Sequence, residues 1–378
     1  MPKIYKYLLF CLIVSSIFGT TTYYFLSNRH KAIVKTHVYH TLGFIDNNWN
    51  ITENNHQFKL VTPTLLIDGI YKSMEGPKVS RVIQLNNSDD VYVITGFKIE
   101  AVDATTLKSV SKEFICHMNI DLNDKSYYTA FNLHNRIGKQ FPRLTSLSSG
   151  FEEFSFPKGY GFIIKGNEPL FVMSEALNQN ISPITKKIKH CITIDYEKYN
   201  GLQKPLQNKI TYIRLPFDKY DPYKSPTDVG NNQCVPVETK NHTETDNNGN
   251  MLSGHWVIPN GKKTYRSFIN SQLQIKDSLC LHTAAIHVHP FATQISLYDK
   301  TENKTIFTSK IENYKDKIGL VKVAPFSSKE GVWLYVNHEY ELILDVNNTS
   351  KIDQDMMGSM FLFFYDKELD EKLKQSNN

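Results

Sequence analysis

Short runs of alternating apolar and polar residues follow one another along most of the chain and predict β-strands. Turns rich in Asn, Asp, Gly and Ser separate these runs. No helix with a core-facing apolar stripe is predicted after residue 31. The predicted strands cover residues 79–85, 91–99, 114–122, 160–164, 170–174, 188–196 and 209–215, and then 255–258, 264–273, 281–288, 294–299, 305–310, 332–336, 339–346 and 358–365.

The two groups of strands are separated by residues 220–250, which contain three prolines and almost no apolar run. This composition is typical of a linker or a long loop. We therefore predict an all-β protein of two antiparallel jelly-roll or β-sandwich domains, at residues 32–219 and 251–368. Residues 369–378 are predicted to be a charged tail, at most a frayed helical turn.

Residues 1–31 have the pattern of a targeting segment, either a signal peptide or a membrane anchor. Lys3 and Lys6 precede an uncharged stretch, residues 7–28, whose apolar centre has the length of a signal-peptide core. As a helix the whole stretch would be about 33 Å long, enough to cross a bilayer. We predict an exported, periplasmic protein, soluble or anchored to the inner membrane by residues 7–28.

The charge of the chain argues against a nucleic-acid partner. The formal net charge is +5 over 378 residues, and no block of Lys and Arg concentrates it. Aromatic residues make up 12% of the chain, which favours β-structure.

Export changes the interpretation of the cysteines. Cys11 lies in the targeting segment, which leaves four candidates for disulfides: Cys116, Cys191, Cys234 and Cys280. In an oxidising compartment these four can form two disulfides in any of three connectivities. None of them lies in a CxxC pair, so a zinc ribbon is excluded.

The chemistry of this chain centres on two histidines in one predicted strand. His287 and His289 are separated by one residue, so on a strand they point to the same face, about 6.5 Å apart. With a thioether from a neighbouring strand they would form a set of donors that suits copper, especially Cu(I). Met357 is the candidate thioether, and Met356 is the alternative in a shifted register. His282, five residues before His287, points to the other face unless a bulge intervenes.

A second group of candidate ligands lies in the first half of the chain. Cys116 and Met118 share one face of a predicted strand, and His117 lies on the other. A packed half-cystine with a hydrogen-bonded histidine is the structural alternative to a metal site here. The chain contains no GxSxG elbow, P-loop, HExxH or Rossmann glycine pattern.

The second predicted domain resembles the C-terminal domain of the type II ascorbate-dependent copper monooxygenases, such as peptidylglycine α-hydroxylating monooxygenase and dopamine β-hydroxylase. The matching order is an IPNG turn, a strand that ends in HVH, and a late strand that begins DMMGSM, over about 110 residues. In this family the two histidines and the late methionine bind the copper that activates oxygen. The resemblance assigns these roles to His287, His289 and Met357.

The first predicted domain resembles the family less closely and looks like an uncharacterised bacterial branch of it. Family enzymes bind a second, electron-transfer copper through three histidines, two of them adjacent. Here His117 matches one of the pair, and Cys116 stands in place of the other. One copper site is therefore expected, and the second is incomplete.

Three functions follow from the resemblance. The first is an exported copper-dependent monooxygenase, which hydroxylates a C–H bond of a small molecule or peptide with O2 and a reductant such as ascorbate. The second is a non-catalytic periplasmic copper-binding protein, and the third is a metal-free binding module with two sandwiches. The sequence carries no signature of a particular substrate.

Overall fold

The structure is a computed structural model that describes residues 3–54, 56–216, 243–245, 249 and 251–376. Strands make up 49% of the protein and helices 17%. The predicted fold class, all-β after an N-terminal helix, is confirmed.

Two helices open the chain, α1 (Lys3–Phe25) and α2 (Asn28–Thr41). Apolar side chains of α1 are largely exposed, whereas α2 buries Ala32 and Thr36 against the strands. Lys35 of α2 lies 2.6 Å from the carboxylate of Asp68 and so ties this helix to the first half of the chain. Over the described ranges, we find no helix that combines the length and the apolar character needed to cross a membrane.

The first half of the chain is a two-layered β-sandwich with one short helix, α3 (Asp124–Ala130), and 3-10 turns at Lys112–Phe114 and His134–Arg136. Its strands are β1 (Asn50–Glu53), β2 (Gln57–Val61), β3 (Leu65–Ile67), β4 (Lys78–Ile83), β5 (Val91–Asp103), β6 (Ile115–Leu122), β7 (Arg143–Ser148), β8 (Glu153–Ser155), β9 (Tyr160–Lys165), β10 (Leu170–Ala176), β11 (Lys186–Lys198), β12 (Lys204–Tyr212) and β13 (Leu215–Pro216). The order β4-β10-β6-β7 forms a small sheet, which packs against β5 of the large sheet.

The second half of the chain forms a second pair of layers, and its described residues include the helices α4 (Asn270–Leu273) and α5 (Lys367–Ser376). Its strands are β14 (Thr243–Thr245), β15 (Met251–Ser253), β16 (Trp256–Ile258), β17 (Gly261–Phe268), β18 (Leu279–Val288), β19 (Ala292–Asp299), β20 (Lys304–Asn313), β21 (Leu320–Val323), β22 (Phe326–Leu334), β23 (Tyr340–Asn348), β24 (Gln354–Met356) and β25 (Gly358–Tyr365). A sheet of order β17-β23-β19-β20-β21 faces β25, where Gly358 lets Leu344 and Ile295 approach closely.

One large sheet runs through both halves in the order β1-β2-β11-β5-β9-β12-β25-β18-β22, with β3 and β8 attached beside it. The halves meet where β12 pairs antiparallel with β25 along its length, from Leu206 opposite Tyr365 to Tyr212 opposite Ser359. On its other side β12 makes a short parallel pairing with β9. The last long strand of the first predicted domain therefore shares a sheet with the strands of the second.

The hydrophobic core is continuous across this junction. Phe363 of β25 packs against Phe156 at 4.8 Å and Phe154 at 5.9 Å between ring centroids, and both of these belong to the first half. Rings at these separations pack with favourable edge and offset contacts. The two halves are thus held at a fixed relative position, which matters for the site described below.

The end of the chain differs from the predicted charged tail. Residues Lys367–Ser376 form α5, in which Leu369 and Leu373 are buried one helical turn apart. Asp366 begins the helix as its N-cap, since its carboxylate accepts a hydrogen bond from the amide of Leu369 at 3.1 Å. The same carboxylate binds Arg136 of the first half, so α5 is docked on the protein and not frayed in solvent.

A buried histidine in the first half should make stability fall at acidic pH. His190 of β11 is fully buried, its Nδ1 lies 2.7 Å from the Ser174 hydroxyl, and burial lowers its pKa to about 4. The unfolded chain has a histidine pKa near 6.5, so protons favour unfolding as the pH falls from about 6.5 to about 4. The loss should approach about 3 kcal/mol at the lower end, since each pKa unit corresponds to about 1.4 kcal/mol.

Urea unfolding of the wild type and of His190→Leu at pH 7 and pH 4.5 measures this contribution. The variant should lose less stability between the two pH values than the wild type does. Equal losses in the two proteins would show that His190 does not titrate on unfolding.

Candidate metal site between the two halves

The strand register places the HVH pair beside Met357. In the pairing of β18 with β25, His287 lies opposite Ser359 and Val288 opposite Gly358, so the next positions are His289 and Met357. The rings of His287 and His289 share a face, as predicted, with centroids 5.5 Å apart in an edge-on arrangement. His287 and His289 therefore lie side by side. Met357 occupies the position that continues the strand register opposite His289.

A third histidine approaches Met357 from the other side. In the pairing of β16 with β24, Trp256 lies opposite Met356, so the positions just outside the ladder are His255 and Met357. The Nε2 atom of His255 lies 3.2 Å from the Sδ atom of Met357. Met356 is fully buried in the core. The register thus brings Met357, and not Met356, to the histidines.

The three imidazoles form one cluster. The ring centroids of His255 and His289 are 5.7 Å apart, and both residues are buried. On its other side His289 contacts a carboxylate, with Nδ1 2.9 Å from Oδ2 of Asp355. This contact is at ion-pair distance, and among the described residues neither Nδ1 of His289 nor the Asp355 oxygens have a partner that meets hydrogen-bond geometry. Asp355 lies two residues before Met357, which puts both side chains on the same face of the chain.

The electrostatics of the cluster favour a neutral His287. Burial lowers the pKa of His287 well below its usual value, and the neighbouring His289, His117 and His255 lower it further. In the part of the chain that the structure describes, Nδ1 of His287 has no hydrogen-bond partner. A neutral imidazole with a free ring nitrogen is the form that binds a metal ion.

His117 of the first half lies within electrostatic reach of this cluster. His117 of β6 is buried, and its Nε2 lies 3.9 Å from the buried carboxylate of Glu175 on β10. Its charge contributes to lowering the pKa of His287. The resemblance expects His117 in a separate, second copper site, and its contacts in the structure are to Cys116 and Glu175.

Cys116 lies at an irregularity in β6. The register with β10 jumps from His117 opposite Glu175 to Ile115 opposite Ala176, which leaves Cys116 unpaired as in a β-bulge. Its Sγ lies 3.3 Å from Nδ1 of its neighbour His117. Burial, together with the charge of Glu175, raises the pKa of the thiol, so the neutral form is favoured without a metal.

His282 does not join the cluster. A register shift in β18 falls at this residue, which is buried, stacks on the ring of Tyr160 at 4.1 Å and contacts the carbonyl oxygen of Ser328 at 3.0 Å. The bulge that would have allowed His282 to reach the HVH face is present, but His282 packs elsewhere. This candidate ligand is therefore not brought to the other candidates.

The cysteines show no disulfide framework. Cys116, Cys191 and Cys280 are free thiols, and Cys234 lies outside the described residues. Two disulfides among these four would need at least one between the three described cysteines. Those three lie on separate strands, β6, β11 and β18, of which none is paired with another.

The donor atoms of the cluster suit a soft cation. Imidazole nitrogen and thioether sulfur favour copper, whereas calcium and magnesium favour oxygen. With metal–nitrogen and metal–sulfur distances of about 2.0 and 2.3 Å, two ligands of one tetrahedral ion lie roughly 3.5 Å apart. The 3.2 Å between His255 and Met357 is close to this separation.

Over the described residues, no three or more His, Cys, Asp or Glu side chains form a group that could hold a metal ion.

Sequence reasoning missed three residues of the cluster: His255, Asp355 and Glu175. One signal was available for Asp355, because it precedes Met357 by the same two-residue spacing that joins His287 to His289. His255 begins a predicted strand, but only the pairing of β16 with β24 brings it to Met357. Nothing in the sequence connects Glu175 to His117 before β10 is paired with β6.

No family model matches the chain, and no curated protein matches it. Among solved structures, the STIV MCP is 9% identical, with a TM-score of 0.34 over 82% of this chain and 98% of its own. A peptide-N(4)-(N-acetyl-β-D-glucosaminyl) asparagine amidase is 8% identical, with a TM-score of 0.33 over 81% and 96%. The major capsid protein P2 of bacteriophage PM2 is 9% identical, with a TM-score of 0.27 over 80% and 96%. None of the three is a copper monooxygenase, and scores this low identify no family.

Proposed function

We propose that this protein binds one Cu(I) ion through Met357 and the imidazoles of His255, His287 and His289. The observation that carries the proposal is the position of Met357, which lies 3.2 Å from His255 and in line with His289. Imidazole nitrogen and thioether sulfur are the donors that Cu(I) favours over hard cations.

The composition of the cluster favours a copper-binding protein over an enzyme. A catalytic metal site keeps one coordination position open for the reacting molecule. The three ligands that the resemblance assigns would leave such a position, and His255 supplies a fourth donor beside them. This fourth donor supports copper storage or transfer by a single site.

A copper-dependent monooxygenase is the second candidate, because the residues of the family's oxygen-activating site lie together here. In the net reaction, two electrons from a reductant such as ascorbate and two protons reduce O2. One oxygen atom enters a C–H bond of the substrate, a small molecule or a peptide, and the other leaves as water. This reaction needs two coppers or another source of the second electron.

For location, we propose export to the periplasm, in either the cleaved or the anchored form. The support is the apolar stretch at residues 7–28 behind Lys3 and Lys6.

Copper titration of the purified full chain tests the proposed function. We expect one Cu(I) per chain by competition with a chromophoric Cu(I) chelator, and no oxygen consumption with ascorbate. Met357→Leu should weaken Cu(I) binding by about tenfold or more, since it removes the soft donor and keeps the volume. Met356→Leu is the matched control and should bind copper like the wild type.

Two coppers per chain with ascorbate-dependent oxygen consumption would support the monooxygenase instead. No copper above background would overturn both candidates and leave the metal-free binding module. Equal affinities of the wild type and Met357→Leu would show that Met357 is not a ligand.

A further inference from the structure

We propose that Asp355 is a positioning residue for His289, holding its imidazole in the tautomer that carries the proton on Nδ1. The inference rests on the proposed function and names the group that prepares one of its ligands. The juxtaposition that supports it is the 2.9 Å contact between Nδ1 of His289 and Oδ2 of Asp355.

A neutral imidazole has one nitrogen that donates and one that accepts. When Nδ1–H donates a hydrogen bond to a carboxylate, the proton stays on Nδ1 and the lone pair is on Nε2. Nε2 is then the nitrogen that can bind a cation. Histidine ligands in metal proteins commonly donate their second ring N–H to a carboxylate in this way, which fixes the ring and makes it a better donor. His289 and Asp355 have the parts of such a pair.

The backbone explains why Asp355 stands where it does. Asp355 pairs with Val257 in the ladder between β16 and β24, and Met357 follows on the same face two residues later. One segment therefore supplies the thioether on one side of His289 and the carboxylate on the other. The spacing D-x-M on this segment matches the spacing H-x-H on β18, so the two segments present four side chains to one another.

The surroundings leave the carboxylate few other roles. The Asp355 side chain is 27% exposed, but both of its carboxylate oxygens are buried, and the ion pairs of the described residues give it no Lys or Arg within 4.0 Å. Its nearest partner, His289, is itself buried. A carboxylate placed beside a buried ring nitrogen, with no basic residue as partner, is better explained by the histidine than by surface solvation.

The first measurement is made on the metal-free full chain, labelled with ¹⁵N. Long-range ¹H–¹⁵N correlation spectra distinguish a protonated Nδ1 from a protonated Nε2, and the spectrum of His289→Gln assigns the signals. In the wild type we expect the proton of His289 on Nδ1. In Asp355→Ala it should move to Nε2 or to a mixture. Asp355→Asn keeps an oxygen that can accept a hydrogen bond from Nδ1–H, so it should retain the wild-type tautomer.

The second measurement is Cu(I) affinity of the same variants. Asp355→Ala should lose about 10- to 100-fold, the usual cost of removing such a partner. Asp353→Ala is the charge-matched control, since Asp353 is exposed two residues earlier in the chain, and its tautomer spectrum and affinity should match the wild type.

The outcomes separate the inference from the proposed function. A wild-type His289 with its proton on Nε2, or a tautomer unchanged in Asp355→Ala, would overturn the role of Asp355 even if copper binds. A tautomer that shifts as expected in a protein that binds no copper would support the role of Asp355 and overturn the copper site.

Discussion

Replacing Arg136 with alanine is expected to destabilise the protein by about 3–5 kcal/mol. The guanidinium of Arg136 binds the carboxylate of Asp366 with two contacts, at 2.5 and 2.8 Å, and the Asp366 side chain is only 3% exposed. Breaking a buried pair from one side leaves the other charge without compensation, and this costs more than the pair itself contributes. The same carboxylate caps α5, so the loss also loosens the end of the chain. Urea unfolding of the two proteins at pH 7 measures the difference.

The control for this prediction is an exposed pair of the same type. Lys198 lies 3.0 Å from Asp90, and both side chains are about half exposed or more. Because solvent screens such a pair, Lys198→Ala should leave the free energy of unfolding unchanged. The double variant Arg136→Met with Asp366→Asn should lose less than Arg136→Ala, since the buried side chain at position 366 is then neutral and only the half-exposed Glu368 loses its partner. A loss below about 1 kcal/mol in Arg136→Ala would show that the pair does not hold the two halves together.

The strands of this protein could be predicted from the sequence because short runs rich in β-branched and aromatic residues are bounded by turn residues. Some strands, such as β2 and β20, also alternate between core and solvent, whereas β18 and β25 are buried on both faces. The alternation of side chains along a strand placed His287 and His289 on one face correctly. It could not decide between Met356 and Met357, since either methionine could face the histidines until a register was known. The pairing of β16 with β24 decides it, by placing Met356 against Trp256 in the core. A shift of one residue reverses every side chain of a strand.

The pairing between the two halves could not be predicted from local sequence patterns. Residues 220–250 have the composition of a linker, and this suggested two separate sandwiches. The long pairing of β12 with β25 joins residues that are about 150 positions apart, which no periodicity records. That pairing fixes the position of the second half, with His287, relative to the first half, with His117. A separate second site for His117 is the expectation for two independent domains, and the shared sheet shows that the two halves are not independent.

The terminal helix has a sequence signal from which it could be predicted. Asp366 stands three residues before Leu369, and Leu373 follows one turn later. This is the pattern of an N-cap and a narrow apolar stripe. The many charged residues between them are instead typical of a solvated tail. Only the burial of the two leucines shows which of these features determines the structure.

Replacing His289 with alanine is expected to abolish Cu(I) binding, with a loss of at least about a thousandfold, or roughly 4 kcal/mol. His289 is the one imidazole with contacts to the rest of the cluster on three sides, since it adjoins His255, His287 and Asp355. Its loss removes a ligand and leaves the Asp355 carboxylate without its partner. The affinity is measured by chelator competition on the full chain, in parallel with thermal unfolding.

The control is His282→Ala, which removes a buried histidine from the same strand but outside the cluster. If the loss of any packed histidine from β18 disrupted the fold enough to destroy the site, both variants would fail to bind. With the cluster as the site, only His289→Ala should fail. A ligand at a hundred times its Kd stabilises the folded state by about 2.7 kcal/mol, so Cu(I) should raise the Tm of the wild type and of His282→Ala but not of His289→Ala. Retained stabilisation in His289→Ala would place the copper elsewhere.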